Sequence, residues 1–92
     1  MSKQNKGKVW LVGAGPSDAG LFTLKGKAVL EKADVVVYDK LVGQGVMAMI
    51  PGHVRKISVG KTAGHQPIPQ HEINRILLEE ALAGNRVVRL KG

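Results

Sequence analysis

Apolar residues in this chain come in short blocks, and the blocks have two different periods. Val9-Trp10-Leu11-Val12, Val35-Val36-Val37-Tyr38 and Val87-Val88-Arg89-Leu90 are brief runs dominated by β-branched and aliphatic side chains. Runs of that length and composition read as strands buried on both faces. Ile57-Ser58-Val59 is a shorter run of the same kind and stops at Gly60. The intervening segments have the helical period. Leu24 to about Lys32 reads as a helix capped by Thr23, and a short helix around Val46 to Ile50 ends before the turn signal Pro51-Gly52. From Gln70 to Ala83, Ile73, Ile76, Leu77 and Ala81 share one face, with Gly84 placed at the C-cap. Residues 62–69, with two prolines and Gly64, read as a loop.

The pattern predicts strands at 8–13, 34–38, 54–59 and 86–90. Strands separated by helices are joined by right-handed crossovers, so the expected class is α/β, a mostly parallel open sheet with flanking helices. Gly13, Asp39, Gly60 and Gly92 then fall at one edge, the carboxyl edge where such sheets bind ligands. The loop Gly13-Ala14-Gly15-Pro16-Ser17-Asp18 is the leading candidate for a small-molecule site, because glycines let the backbone approach a ligand closely.

Two phosphate loops come close to matching and fail. The dinucleotide fingerprint G-x-G-x-x-G needs a glycine at Asp18, where a carboxylate would repel a pyrophosphate, and Pro16 removes a backbone N–H from the loop. Gly60-Lys61-Thr62 resembles the end of a P-loop, but the first glycine of that motif would fall at Arg55.

Composition narrows the classes further. Ninety-two residues allow one small domain, 8–92, behind a flexible basic N-terminus at 1–7. One Trp, one Tyr and one Phe leave an almost wholly aliphatic core. The absence of cysteine rules out a disulfide or a thiol nucleophile and suits a cytoplasmic protein. No apolar run reaches the roughly 20 residues of a membrane span. The net charge of +7 suits an acidic partner, but the basic residues have no interleaved aromatics, which argues against a single-stranded nucleic-acid platform. His53, His65 and His71 are too scattered for a metal site and read as surface residues. Asp39 leaves three readings open: a ribose-binding acid, a turn cap or a catalytic carboxylate. Lys61, taken alone, is an exposed lysine after a glycine turn.

Val9-Trp-Leu-Val-Gly-Ala-Gly-Pro16, Leu24-Lys25-Gly26, Ala33-Asp-Val-Val-Val-Tyr-Asp39, Leu41-Val42, Val59-Gly-Lys61, Pro69-Gln70, Glu72-Ile-Asn74 and Val87-Val-Arg-Leu-Lys-Gly92 together resemble the uroporphyrinogen-III C-methyltransferases of the tetrapyrrole methylase superfamily. The resemblance runs unbroken over everything beyond the first seven residues. Members of that family are more than twice as long, so the chain is expected to be an N-terminal portion, cut before a Gly-Asp-Pro donor loop and a C-terminal domain, and inactive by itself.

The resemblance implies S-adenosylmethionine as methyl donor, bound between two α/β domains, and uroporphyrinogen III, a polyanionic tetrapyrrole, as substrate. Two methylations give precorrin-2, the branch point toward sirohaem and cobalamin. A homodimer is expected, with no nucleic-acid, membrane or metal partner. Pro16 matches the family proline whose backbone lies against the donor, and Gly92 the first glycine of the donor loop. Asp39 matches the family's proposed proton acceptor and Lys61 its proposed proton donor. Ser17 stands where the family usually has glycine, and Gln66 where histidine is common. A sister methylase acting on RNA ribose or a protein side chain is disfavoured by Tyr38-Asp39, Val59-Gly-Lys61 and Arg89-Leu-Lys-Gly92 occurring together. A nonenzymatic nucleotide-binding module is the other alternative.

Overall fold

Seven elements alternate along the chain: β1 (Lys8–Gly13), α1 (Leu24–Lys32), β2 (Val35–Tyr38), α2 (Gln44–Met47), β3 (Arg55–Ser58), α3 (Gln70–Leu82) and β4 (Arg86–Lys91). The computed structural model describes residues 7–13, 24–60 and 68–92. The four strands form one sheet in the order β1-β4-β2-β3, and every pairing is parallel. β4 is inserted between the first two strands, with Val88 in register with Trp10 on one side and Val36 on the other.

β2 is mostly valine, and the middle of β4, Val87 to Leu90, is buried throughout, because both strands are covered on both faces. Side chains alternate between two cores, as the pleat requires. Val36, Val88 and Leu90 pack with Leu30, Val42, Val46, Ile50 and Val54 on one face. Val35, Val37 and Val87 pack with Val59, Ile73 and Leu77 of the α3 side on the other. Trp10, Val12 and Tyr38 are partly buried against the first of these cores. Burial stops at β1, where Leu11 is 78% exposed.

The strands and long helices fall within a residue of their expected positions. α3 closes at Ala83, and Gly84 follows with φ of 94°, the left-handed conformation in which glycine carries no Cβ penalty. The short helix differs. It occupies 44–47 instead of 46–50, and the chain then tightens, with Met49 and Ile50 donating to the carbonyls of Val46 and Met47 three residues back. The start was hidden because Gln44 and Gly45 are exposed and carry no apolar signal. The end comes early because Pro51 disfavours helical geometry in the residue before it.

Two aspartates bracket β2. At its amino end the Asp34 carboxylate accepts the Arg86 N–H at 2.7 Å, while the Asp34 N–H donates to the Arg86 carbonyl at 2.8 Å. This fixes where β4 begins. Nearby, Arg55 at the start of β3 forms a two-pronged ion pair with Glu80 of α3, and the Asn85 side chain donates to the same carboxylate at 2.8 Å. No described helix is long and apolar enough to cross a membrane.

The Arg55 guanidinium, opposed by burial and helped by Asn85, holds the Glu80 carboxyl below its ordinary value of 4.5. A depressed carboxyl stabilises the fold above its unfolded-state value, and that contribution disappears as pH falls through the folded one. Glu80→Gln is therefore expected to lower stability at pH 7 by about 0.5–1 kcal/mol, the scale of a partly exposed pair. The gap to the parent should shrink on acidification toward pH 3. Urea denaturation at a series of pH values measures both quantities.

Candidate functional site

β2 delivers Asp39 to the carboxyl edge of the sheet, one residue past Tyr38. The backbone turns there, with the Val42 N–H donating to the Asp39 carbonyl at 3.3 Å. Asp39 Oδ1 accepts the Leu41 N–H at 2.9 Å, the local bond that makes aspartate a favoured turn residue. The same carboxylate also reaches across to β4. The Gly92 N–H lies 3.3 Å from Oδ2 and 3.4 Å from Oδ1. Arg89 completes the group, its Nη2 standing 3.7 Å from Oδ2 and its Nη1 donating to the Leu90 carbonyl at 2.9 Å.

Two glycines clamp this turn. A Cβ at Gly92 would lie 2.6 Å from the Leu41 carbonyl oxygen and 2.7 Å from Leu41 Cβ. A Cβ at Gly60, just past β3, would lie 2.6 Å from the Lys40 nitrogen. Both approaches are closer than any side-chain-bearing residue tolerates, so the ends of β3 and β4 seat the 39–42 turn between them. Gly13, at the end of β1, is the opposite case, since among the described residues a Cβ there would meet nothing within 4 Å.

That open space belongs to two pockets, one on each face of β1. The first, of about 430 Å³, lies toward α3 and is lined by Gly13, Gln70, Asn74, Leu77, Arg89 and Lys91. The second, of about 450 Å³, lies toward α1 and is lined by Trp10, Gly13, Lys25, Gly26 and Val29. Both fall in the size range of small-molecule sites, with apolar walls and a few polar groups. Lys40 and Lys91 are exposed at this edge.

The structure thus brings together Asp39, Gly92, Gly60 and Gly13 at one edge, as the strand–helix alternation predicts. Pro16 and Lys61 lie outside the described residues, as do Ser17, Asp18, Thr23, His65 and Gln66. His53 and His71 are exposed, and the described residues hold no cluster of three metal-ligating side chains. Sequence reasoning missed Arg89, which is only 8% exposed. The signal was available, because a charge inside a run of buried β-branched residues demands a partner.

A family model described as Tetrapyrrole (Corrin/Porphyrin) Methylases matches residues 8–92. A siroheme synthase from Tolumonas auensis is 57% identical over 86 residues, which is 94% of this chain and 18% of that protein. The crystal structure of a uroporphyrin-III-C-methyltransferase from Thermus thermophilus superposes with a TM-score of 0.81 at 37% identity, over 97% of this chain and 36% of its own. A structure of the Thermus thermophilus enzyme complexed with S-adenyl homocysteine gives 0.74 at 48% identity, over 92% of this chain and 35% of its own. The four-stranded parallel sheet and its helices match the fold of these enzymes. The chain therefore spans under a fifth of this curated relative's length and about a third of the solved structures.

The clamp predicts a contrast between two glycines. Gly92→Ala should force the end of β4 away from the Leu41 carbonyl and cost about 1–3 kcal/mol, the usual cost of overpacking. Gly13→Ala, whose Cβ would meet none of the described residues within 4 Å, should stay within about 0.5 kcal/mol of the parent. Denaturation midpoints of the two variants measure the difference.

Proposed function

The chain belongs to the tetrapyrrole (corrin/porphyrin) methylase family, and we propose that it serves an S-adenosylmethionine-dependent C-methyltransferase acting on uroporphyrinogen III to give precorrin-2. In this reading residues 8–92 are the N-terminal α/β domain, preceded by a basic arm at 1–7 and followed by a donor loop that starts at Gly92 and by a second domain. The substrate assignment is supported by the similarity to the uroporphyrin-III-C-methyltransferase of Thermus thermophilus, and the branch by that to a siroheme synthase. The donor assignment is supported by the relative solved with S-adenyl homocysteine, the donor without its methyl group.

One observation carries the reading in this chain: the Asp39 carboxylate is hydrogen-bonded to the N–H of Gly92, at 3.3 Å. A carboxylate suited to taking a proton and the first residue of a donor loop are thereby held as one unit. The residues present also fit such a donor. Gly13 ends β1 between two pockets whose walls are mostly apolar, with Lys25, Gln70, Asn74, Arg89 and Lys91 as their polar groups.

S-adenosylmethionine, when bound, supplies an electrophilic methyl group. The protein's task is then to hold a pyrrole carbon in line with that methyl and to manage the proton that the ring system sheds after attack. Asp39 accepts this proton. An ionised carboxylate has about four lone-pair sites, more than the Leu41, Gly92 and Arg89 donors require. Lys61 acts as proton donor, and the Pro16 backbone packs against the donor. Lys40 and Lys91, exposed at the same edge, suit a polycarboxylate substrate. The enzyme is proposed to be cytoplasmic and homodimeric, the latter open to sedimentation analysis of the full-length protein.

In the full-length protein, Asp39→Asn is expected to leave donor affinity nearly intact and to slow methylation by about 10²–10⁴-fold, because it removes a proton acceptor at nearly constant shape. An unchanged single-turnover rate would assign Asp39 to the turn alone.

Residues 1–92 by themselves should show no turnover and only weak donor binding, since each 1.4 kcal/mol of missing contact costs about tenfold in affinity. Titration calorimetry with S-adenosylhomocysteine is the check. Micromolar binding would mean that this half of the site is preorganised without a second domain.

A further inference from the structure

Arg89 occupies a position that packing alone would give to an aliphatic residue. Its neighbours in register are Leu11 on β1 and Val37 on β2, and Val87 precedes it on the same face of β4. Valine or isoleucine would extend that apolar row without cost, whereas burying a guanidinium is expensive unless its N–H groups find acceptors. The acceptors found here are specific. Nη1 is anchored on the Leu90 carbonyl at 2.9 Å, and Nη2 is directed toward Asp39 Oδ2 at 3.7 Å, ion-pair distance but longer than a direct hydrogen bond. A planar guanidinium fixed at one nitrogen has its second nitrogen fixed as well, a property lysine lacks.

The other two groups on the Asp39 carboxylate are backbone N–H donors, from Leu41 and Gly92. Arg89 is the one side chain that the structure pairs with Asp39 among the described residues. With side-chain exposures of 9% for Arg89 and 18% for Asp39, water has little access to replace it. We propose that Arg89 is a positioning residue for the methyl transfer: braced on its own strand, it orients the Asp39 carboxylate toward the reacting ring. This inference rests on Asp39 being the proton acceptor and adds the group that aims it.

The test uses the full-length protein and four variants: Asp39→Asn, Arg89→Met, Arg89→Lys and the Asp39→Asn/Arg89→Met double. Arg89→Met keeps the apolar stem and removes the fork. It should lower the single-turnover methylation rate at least tenfold, with KM for the tetrapyrrole, affinity for S-adenosylhomocysteine and the melting midpoint little changed. Arg89→Lys should restore part of the lost rate. The double variant should be no slower than Asp39→Asn, because both changes act through one carboxylate.

If Asp39→Asn slows the reaction and Arg89→Met does not, the positioning role is overturned while the acceptor role stands. A double variant slower than Asp39→Asn by the full Arg89→Met factor, or an Arg89→Met effect confined to tetrapyrrole KM, overturns it equally. If Asp39→Asn itself leaves the rate unchanged, the acceptor reading falls, and the positioning role with it. Should Arg89→Met fail to fold, Arg89→Lys decides, and an undiminished rate in that folded variant overturns the proposal.

Discussion

β4 comes last among the strands and lies inside the sheet, so its hydrogen bonds to β1 and β2 hold together segments that are otherwise far apart in the chain. Arg86–Lys91 pairs with Lys8–Gly13 on one side and with Val35–Tyr38 on the other. Because the pairing is parallel, all strands point the same way, and their carboxyl ends collect at a single edge. The residues that matter there are separated by up to 79 positions (92 − 13); β3 brings Gly60 to Asp39 by pairing with β2, and Gly13 and Gly92 join them because β4 is seated between its neighbours. Burial of Val87, Val88 and Leu90, none of them exposed, supplies the hydrophobic term that favours that seating.

The two aspartates that bracket β2 show how position decides the role of one side-chain chemistry. Asp34 accepts the N–H of Arg86 and Asp39 accepts that of Gly92, so each pins one end of β4. Asp34 sits at the amino edge, among the contacts that join α3 to β3. Asp39 sits at the carboxyl edge, beside the end of β4 and a buried arginine. A carboxylate that closes a turn, caps a strand and pairs with a buried arginine has lost most of its freedom to rotate, and such preorganisation is what acid–base chemistry requires. The turn-cap and catalytic readings of Asp39 are therefore complementary, since the structural bonds hold the carboxylate that the proposed chemistry uses.

Local pattern was sufficient for much of the architecture. Runs such as Val35-Val36-Val37 admit few alternatives to a strand buried on both faces, and the spacing of Ile73, Ile76 and Leu77 fixes the inner face of α3. Alternation of strand and helix then implied a parallel sheet, and with it a shared carboxyl edge. Asp39 and Gly92 were legible because each directly follows a strand.

Tertiary structure decided what adjacency in sequence cannot express. The strand order β1-β4-β2-β3 depends on which apolar faces pack best together, and no local period encodes it. The start of α2 was invisible because Gln44 and Gly45 face solvent. Arg89, inside an apolar run, announced that it needed a partner, but which one was settled only when β2 and β4 came together and set its guanidinium against Asp39, 50 positions away (89 − 39). Likewise, Gly60 and Gly92 read as strand ends in the sequence, and became a clamp once the 39–42 turn was folded between them. Secondary structure follows from neighbours within a few residues, so the chain states it directly. A side chain's partner across a sheet is set by the packing of whole elements, and it exists only in the folded molecule.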